Sequence, residues 1–236
     1  LSANTPLIGT GTWTVIAGTA TVTSVNDPNS GVTGLTTGIN TFRWTITNGT
    51  CTPSTDDITI NVDELPTTAA AGLDQTICSP TATLSANIPL IGTGTWTVIA
   101  GTATVTNVND PNSGVTGLTT GVNTFRWTIT NGTCTPSTDD ITINVDELPT
   151  TADAGLDQTI CSPTATLSAN TPLIGTGAWT VIAGGGAVTT PASPTSGVTG
   201  LTTGVNTFRW TITNGTCTPS TDDITINVDE LPTTAD

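Results

Sequence analysis

An internal repeat of 83 residues constrains this chain more than any other feature of its sequence. Trp13, Trp96 and Trp179 recur at that interval (96 − 13 = 83 and 179 − 96 = 83). A period this long exceeds that of most solenoid repeats, so each repeat is predicted to form a small domain of its own. The predicted domains are residues 1–67 (repeat 1, expected to lack its first strand), 68–150 (repeat 2) and 151–236 (repeat 3). The chain is accordingly expected to be part of a longer array.

One twelve-residue segment, Asn-Thr-Phe-Arg-Trp-Thr-Ile-Thr-Asn-Gly-Thr-Cys, occurs once in every repeat. It begins at Asn40, Asn123 and Asn206. Its apolar residues alternate with polar ones, which indicates a strand with one buried face. The Asn-Gly pair that follows favours a tight hairpin turn. We therefore expect Trp44, Trp127 and Trp210 to be buried between two sheets.

Repeat 2 contains seven short segments rich in β-branched residues, separated by turn residues and without helical periodicity. The predicted strands lie at 71–78, 82–86, 96–100, 103–105, 115–118, 125–129 and 141–145. This pattern is typical of an antiparallel β-sandwich. The segment 146–151 is predicted to be a short linker stiffened by its proline. Successive repeats are therefore expected to stack end to end with one repeated junction geometry.

The charge balance of the chain excludes several classes of function. The 236 residues include 18 acidic and three basic side chains and no histidine, for a net charge of −15. Such a surface argues against nucleic-acid and anionic-membrane partners, and no apolar run approaches the roughly 18 residues of a membrane helix. Serine and threonine also lack a histidine or lysine to act as base. We therefore predict no enzyme activity, no nucleic-acid partner and no membrane insertion.

Three segments of repeat 3 carry a resemblance to a known family: 154–161 (Ala-Gly-Leu-Asp-Gln-Thr-Ile-Cys), 166–170 and 206–215. They resemble the PKD-like, Ig-like repeats of giant surface adhesins of Bacteroidetes, including adhesins linked to gliding motility and type IX secretion. The similarity extends over every repeat, although Gly94-Thr95-Trp96-Thr97 replaces the Trp-Asp-Phe-Gly-Asp-Gly motif of the standard PKD pattern. The resemblance implies tandem Ig-like sandwiches and an extracellular or cell-surface, adhesin-type parent protein. It implies no particular ligand.

The cysteines are the strongest candidates for covalent chemistry. In an extracellular array with one pair per repeat and no histidine, structural disulfides are expected rather than a zinc or redox site. Pairing within each repeat is favoured and would join Cys78 to Cys134 and Cys161 to Cys217, leaving Cys51 unpaired. Each loop of 56 residues (134 − 78 = 56) would contribute about 4 kcal/mol. Because the two cysteines of a repeat would lie at opposite ends of a sandwich, the alternative is a bond from Cys78 to Cys217 of the next repeat.

Other charged residues have weaker functional interpretations. Asp146, Glu147, Asp153 and Asp157 lie about one predicted junction, as carboxylates do in tandem domains that calcium rigidifies. Solvated linker charge is the favoured interpretation of these four, so calcium is the only cofactor considered and none is predicted. The three arginines, Arg43, Arg126 and Arg209, are expected to form salt bridges or to stack on the outer face of a sheet.

The favoured function is structural: spacer or stalk repeats of a secreted cell-surface adhesin or extracellular filament. Its expected partners are neighbouring repeats of the same long chain, with lateral self-association as a further option. The alternative is a carbohydrate- or calcium-binding module with one site per repeat, and a third option is a spacer appendage of a secreted enzyme. Buried tryptophans would favour the spacer, whereas exposed tryptophans would favour the binding module.

Overall fold

The structure is a computed structural model that describes residues 1–232, so the last four residues of predicted repeat 3 lie outside it. The strands of repeat 1 are β1 Thr10–Ala17, β2 Thr21–Val22, β3 Val32–Thr33, β4 Gly38–Thr47 and β5 Ser54–Val62. Those of repeat 2 are β6 Gln75–Ile77, β7 Thr81–Thr83, β8 Thr93–Ala100, β9 Thr104–Val105, β10 Gly114–Thr116, β11 Gly121–Thr130 and β12 Ser137–Val145. Those of repeat 3 are β13 Gln158–Ile160, β14 Thr164–Ser168, β15 Thr176–Ala183, β16 Ala187–Val188, β17 Thr195–Thr199, β18 Gly204–Thr213 and β19 Ser220–Val228.

No helix occurs in residues 1–232, and none of this part of the chain could span a membrane as a helix. Repeat 3 consists of a four-stranded sheet with the order β13-β19-β18-β15 and a three-stranded sheet with the order β14-β17-β16. Repeat 2 has the matching orders β6-β12-β11-β8 and β7-β10-β9. One hydrophobic core unites residues from both sheets of repeat 3, among them Leu167, Val198, Trp210 and Ile226. The predicted all-β, tandem Ig-like sandwich is therefore confirmed.

The opening strand of each complete repeat departs from the predicted antiparallel arrangement. Strand β13 runs parallel to β19, with Ile160 opposite Val228. Strand β6 pairs with β12 in the same way, with Ile77 opposite Val145. Parallel neighbours need a connection that crosses over between them, and here the whole repeat separates the first strand from the last.

The tryptophans occupy the interior, as predicted. The exposed fraction of Trp44 is 3%, and Trp127 and Trp210 are fully buried. In repeat 3, the Trp210 ring contacts Trp179 across β15 and β18, with ring centroids 5.2 Å apart. A side chain at Gly177 would overlap the Trp210 indole, so this glycine makes room for the ring. The result is a core built around a tilted indole pair.

A buried asparagine in each repeat organises the loop before the hairpin. Asn206 is fully buried. Its Nδ2 donates to the carbonyl oxygens of Thr202 at 2.7 Å and Gly204 at 3.0 Å, and its Oδ1 accepts from the Gly185 amide at 2.9 Å. A buried polar group that loses its hydrogen bonds costs free energy. These hydrogen bonds therefore hold the loop in one conformation around the asparagine.

Repeat 1 shows what an opening strand covers. Its sheet has three strands, in the order β1-β4-β5, so the outer edge of β5 has no strand beside it in the described chain. Strands β5, β12 and β19 have the same sequence, yet Ile58 is 37% exposed while its counterparts Ile141 and Ile224 are each 1% exposed. In repeats 2 and 3 the segment that leads into the opening strand therefore covers this isoleucine.

Contacts between Cα atoms group the chain into two compact units whose borders fall inside repeat 2. The first unit comprises Leu1–Ala70, Ala86–Thr95 and Trp127–Asp139. The second comprises Ala71–Ser85, Trp96–Arg126 and the described residues from Asp140 to 232. These borders neither support nor contradict the predicted boundaries at residues 67 and 150, which stay a prediction.

Candidate functional site: the repeat junctions

Within the first unit, the hairpin turn of repeat 2 contacts the end of repeat 1. The backbone amide of Thr133 donates to Asp63 Oδ2 at 2.7 Å, and its hydroxyl donates to the same oxygen at 3.0 Å. Asn131 Nδ2 donates to the Glu64 carbonyl at 2.7 Å. Gly132, at φ 51°, lies so close to the Asp63 carboxylate that a Cβ would overlap it. The Asn-Gly-Thr turn is thus shaped to accept the linker that precedes it.

Within the second unit, the hairpin turn of repeat 3 makes the same contacts with the end of repeat 2. The Thr216 amide and hydroxyl donate to Asp146 Oδ2 at 2.7 and 2.9 Å. Asn214 Nδ2 donates to the Glu147 carbonyl at 2.7 Å. Two junctions therefore share one hydrogen-bonding scheme, which we call the hairpin–linker contact.

A disulfide bond completes the second of these junctions. Cys78, directly after β6, is bonded to Cys217 in the turn between β18 and β19, with Cα atoms 4.9 Å apart. The favoured pairing of Cys78 with Cys134 and of Cys161 with Cys217 is therefore wrong, and the alternative is correct for Cys78 and Cys217. The bond joins repeat 2 to repeat 3 across 139 residues of sequence.

Strand length explains why pairing within a repeat fails. Ile160 pairs with Val228 at the end of β19, which places Cys161 at that end, whereas Cys217 lies ahead of Ser220 at its start. The nine residues of β19 span about 30 Å at roughly 3.3 Å per residue. A disulfide needs Cα atoms within about 7 Å. Cys161 and Cys217 thus cannot bond without unfolding the sandwich.

Three cysteines are unpaired in this chain. Cys51 and Cys161 are exposed, and Cys134 is partly buried. Cys134 occupies the position of Cys217 at the first junction: its Sγ lies 3.3 Å from the Glu64 carbonyl oxygen, as that of Cys217 lies 3.3 Å from the carbonyl oxygen of Glu147.

The four residues considered as calcium ligands form separate hydrogen bonds and do not meet at one point. Asp146 accepts the Thr216 bonds, Asp157 Oδ1 accepts the Thr225 amide at 2.7 Å, and Asp153 Oδ1 accepts the Gly155 amide at 3.0 Å. The backbone carbonyl of Glu147, rather than its carboxylate, forms the contact with Asn214. Among residues 1–232 no group of three or more Asp, Glu, Cys or His side chains could hold a metal ion.

Each arginine forms a bidentate ion pair on the surface of its sheet. A salt bridge was one of the two interactions predicted for these residues. Arg209 Nε and Nη2 donate to the two carboxylate oxygens of Asp223 at 2.7 and 2.8 Å. Arg43 pairs with Asp57 and Arg126 with Asp140 in the same way. These hydrogen bonds from the guanidinium lower the pKa of each aspartate. Every basic side chain of the sequence is thereby engaged within its own repeat.

The hairpin–linker contact can be tested at its glycine. Gly132→Ala is expected to weaken the first junction, because the new methyl group would displace the Asp63 carboxylate. Gly49→Ala is the matched control, since Gly49 has the same turn and a φ of 55° but nothing within 4 Å of a Cβ. In hydrogen exchange, Gly132→Ala should speed exchange of the Thr133 amide roughly tenfold or more through local opening. Equal acceleration of the Thr133 amide by Gly49→Ala would contradict the proposed contact.

The same contact predicts a dependence on pH. The hydrogen bonds from the Thr133 amide, and then from its hydroxyl, lower the pKa of Asp63. A carboxylate with a lowered folded-state pKa stabilises the fold above its unfolded pKa of about 3.9, and this contribution is lost as the pH falls through the folded value. The protection factor of the Thr133 amide should therefore fall below about pH 4. The Thr50 amide, whose turn faces no linker, should show no such fall, and parallel behaviour of the two amides would refute the assignment.

A shallow cleft lies beside the opening strand at the end of both complete repeats. In repeat 2 it has a volume of about 420 Å³ and is lined by Pro80, Leu118 and Leu148 among others. In repeat 3 the equivalent cleft has a volume of about 430 Å³ and includes Pro163, Leu201 and Leu231. Neither cleft contains a tryptophan, because the indoles are in the cores.

Comparisons with known proteins leave the family open. No protein-family model and no curated protein sequence matches the chain. The crystal structure of the insect immune protein hemolin is similar with a TM-score of 0.42 and 12% identity, over 94% of this chain and 73% of that one. Human CDH23 EC21–23 is similar with a TM-score of 0.42 and 12% identity, over 93% of this chain and 89% of that one. Protocadherin gammaB7 EC3–6 is similar with a TM-score of 0.38 and 13% identity, over 94% of this chain and 67% of that one. All three TM-scores are below 0.5, so the similarities assign neither a family nor a function.

Proposed function

We propose that this chain is a structural spacer or stalk segment of a secreted cell-surface adhesin or extracellular filament, and that it is not an enzyme. The observation that carries the proposal is the bond between Cys78 and Cys217, which ties the opening strand of one repeat to the hairpin of the next. Disulfides of this structural kind persist in oxidising, extracellular environments. A disulfide between neighbouring repeats suits a protein segment that must resist mechanical force.

Two further features support a structural role. The large aromatic side chains lie in the cores, so they form no exposed platform for a ligand. The hairpin–linker contact recurs at both junctions with the same donors and acceptors. The partners that this role requires are the neighbouring repeats themselves, and lateral association of copies is a further proposal that follows from the filament.

A pulling experiment tests the structural role. In a tether held at its two ends, the bond closes a loop of 139 residues, so unfolding inside that loop adds no length. Adding a reductant should lengthen the fully unfolded tether by about 50 nm, since an extended residue spans roughly 3.3–3.6 Å. The Cys78→Ser/Cys217→Ser variant should show the longer length from the outset. If the oxidised chain already extends over its full length, the repeats carry load individually and the proposal fails.

A second candidate function is a binding module with one site per repeat. The observation that favours it is the recurring cleft of about 420–430 Å³ at the end of repeats 2 and 3. Titration with millimolar Ca²⁺ and with a panel of soluble oligosaccharides, followed by calorimetry, separates the two functions. Saturable heat that Leu118→Asp and Leu201→Asp abolish would favour the binding module, whereas no saturable heat is expected for the spacer.

A further inference from the structure

The cleft at the end of repeat 2 combines an apolar floor with an acidic rim. Leu118 and Val145 form the floor and are only 6% and 7% exposed. Leu148 and the adjacent Glu147 also line the cleft, and both are exposed. We propose that this cleft binds an arginine side chain from a basic segment of a partner protein. The aliphatic stem of that arginine would lie on the floor, and its guanidinium would pair with the Glu147 carboxylate.

Three segments of repeat 2 form the cleft, and covalent and hydrogen bonds fix their positions. The Leu118 amide donates to the Pro80 carbonyl at 3.0 Å, and the Asp146 amide donates to the Ile77 carbonyl at 2.8 Å. Cys78 also lines the cleft, which stays open although this cysteine is bonded to repeat 3. A binding surface that is already ordered avoids the entropy cost of becoming ordered when a ligand binds. The cleft is therefore prepared for an occupant.

The size and the construction of the cleft are those of a regular feature of the repeat. Its volume of about 420 Å³ falls within the range of roughly 300–1,000 Å³ that is usual for ligand sites. The same two hydrogen bonds recur in repeat 3, from the Leu201 amide to Pro163 at 2.9 Å and from the Asp229 amide to Ile160 at 2.8 Å. The fold of each complete repeat thus builds these walls.

The charge of the chain makes a cation the complementary occupant. The net charge is −15, and the sequence contains no lysine and no histidine. Its three arginines already pair with aspartates of their own sheets. Glu147 contributes its backbone carbonyl to the hairpin–linker contact, so its exposed carboxylate is available to a cation from another molecule. Opposite charge on the partner would also speed the encounter of the two proteins.

Arginine matches both parts of the cleft. Its aliphatic stem can cover apolar surface while its charged head stays at the rim. The guanidinium is planar and weakly hydrated, and it forms paired hydrogen bonds with a carboxylate, as Arg126 does with Asp140 within repeat 2. Calcium fits less well, because it takes about six to eight oxygen ligands. The Asp146 carboxylate next to Glu147 already accepts two hydrogen bonds from Thr216.

An NMR titration of the full, ¹⁵N-labelled chain tests the proposal. The probe is the peptide acetyl-Gly-Arg-Gly-amide, and the signals followed are the backbone amides of Ser79, Leu118 and Thr120, which line the cleft of repeat 2. These signals should shift and reach saturation. A second peptide carries citrulline in place of arginine, which keeps the shape of the side chain but removes its charge. The citrulline peptide should bind roughly tenfold more weakly, because hydrogen bonds to a charged group are the stronger ones.

Two pairs of variants separate the cleft from the overall negative charge. Glu147→Gln should weaken binding of the arginine peptide roughly tenfold. Glu64→Gln removes the same charge from the preceding linker, outside the cleft, and should leave the affinity unchanged. Leu148→Ser should weaken binding roughly fivefold through the loss of apolar contact. Leu65→Ser is its control, because the two leucines are 69% and 72% exposed and Leu65 does not line the cleft.

Three outcomes would overturn the inference. Equal weakening by Glu64→Gln and Glu147→Gln would show attraction to the whole acidic surface instead of to the cleft. Equal affinity for the arginine and citrulline peptides would show that charge is not recognised, and unchanged amide signals at the cleft would show that nothing binds there. The inference adds a partner to the proposed spacer. None of these outcomes alters the pulling result, which depends on the disulfide between Cys78 and Cys217.

Discussion

Replacing both Cys78 and Cys217 by serine is expected to lower the free energy of unfolding by about 5 kcal/mol. The bond closes a loop of 139 residues, and a cross-link of that length removes this much chain entropy from the unfolded state. This is a large share of the stability of the fold, since a whole domain is stable by only about 5–15 kcal/mol. Urea denaturation followed by circular dichroism, with and without a reductant, measures the change.

The matched control is Cys134→Ser/Cys161→Ser. These cysteines occupy the corresponding positions of the repeat but are unpaired in this chain, so their replacement should alter the free energy of unfolding by less than about 0.5 kcal/mol. A reductant should bring the parent to the stability of the Cys78→Ser/Cys217→Ser variant and leave that variant unchanged. Greater damage from the control pair than from Cys78 and Cys217 would show that the bond lies elsewhere.

Trp210→Ala is expected to destabilise the second unit by about 3–5 kcal/mol, the usual cost of removing a large buried aromatic side chain. The ring is fully buried and contacts Trp179, so its loss leaves a cavity that a rigid sandwich cannot close. Val181→Ala is the control, because Val181 is 43% exposed on the neighbouring strand, and it should cost less than about 1 kcal/mol. Urea titration of both variants gives the comparison, and similar midpoints would argue against the core position of Trp210.

The strands and their buried faces could be predicted because a strand alternates its side chains every two residues. Phe208, Trp210 and Ile212 show that period, and all three are fully buried. Asn206 continues the same buried face, yet its polarity concealed this in the sequence. Its partners are backbone groups of a loop, which leave no residue-specific signal. The identical asparagine at the same phase in every repeat was the signal that could have shown it.

The disulfide partner could not be chosen from the sequence because it depends on how the last strand runs. Parallel pairing of Ile77 with Val145 places Cys78 at the linker end of repeat 2, and only the fold shows that the Cys217 hairpin meets that end. The occurrence of one cysteine pair per repeat favoured a bond within each repeat. The expected separation of the two cysteines, at opposite ends of a sandwich, correctly argued against a bond within a repeat. The same separation argues against a bond between Cys161 and Cys217.

The hairpin–linker contact was missed for a similar reason. Thr133 lies 70 residues from Asp63, and neither residue is unusual in a turn or a linker. The hairpin turn alone accounted for the Asn-Gly pair, so the contact of this turn with the linker was not predicted. Gly132 and Gly49 look the same in sequence, and the different space around them is visible only in the fold.

The most direct test of the account is a tryptic map of the chain after its free thiols have been alkylated under denaturing, non-reducing conditions. The three arginines divide the sequence into fragments 1–43, 44–126, 127–209 and 210–236. A bond between Cys78 and Cys217 predicts that 44–126 is linked to 210–236 and that 127–209 is released with both of its cysteines alkylated. Recovery of 127–209 linked to either neighbour, as pairing within repeats requires, would contradict the covalent junction between repeats.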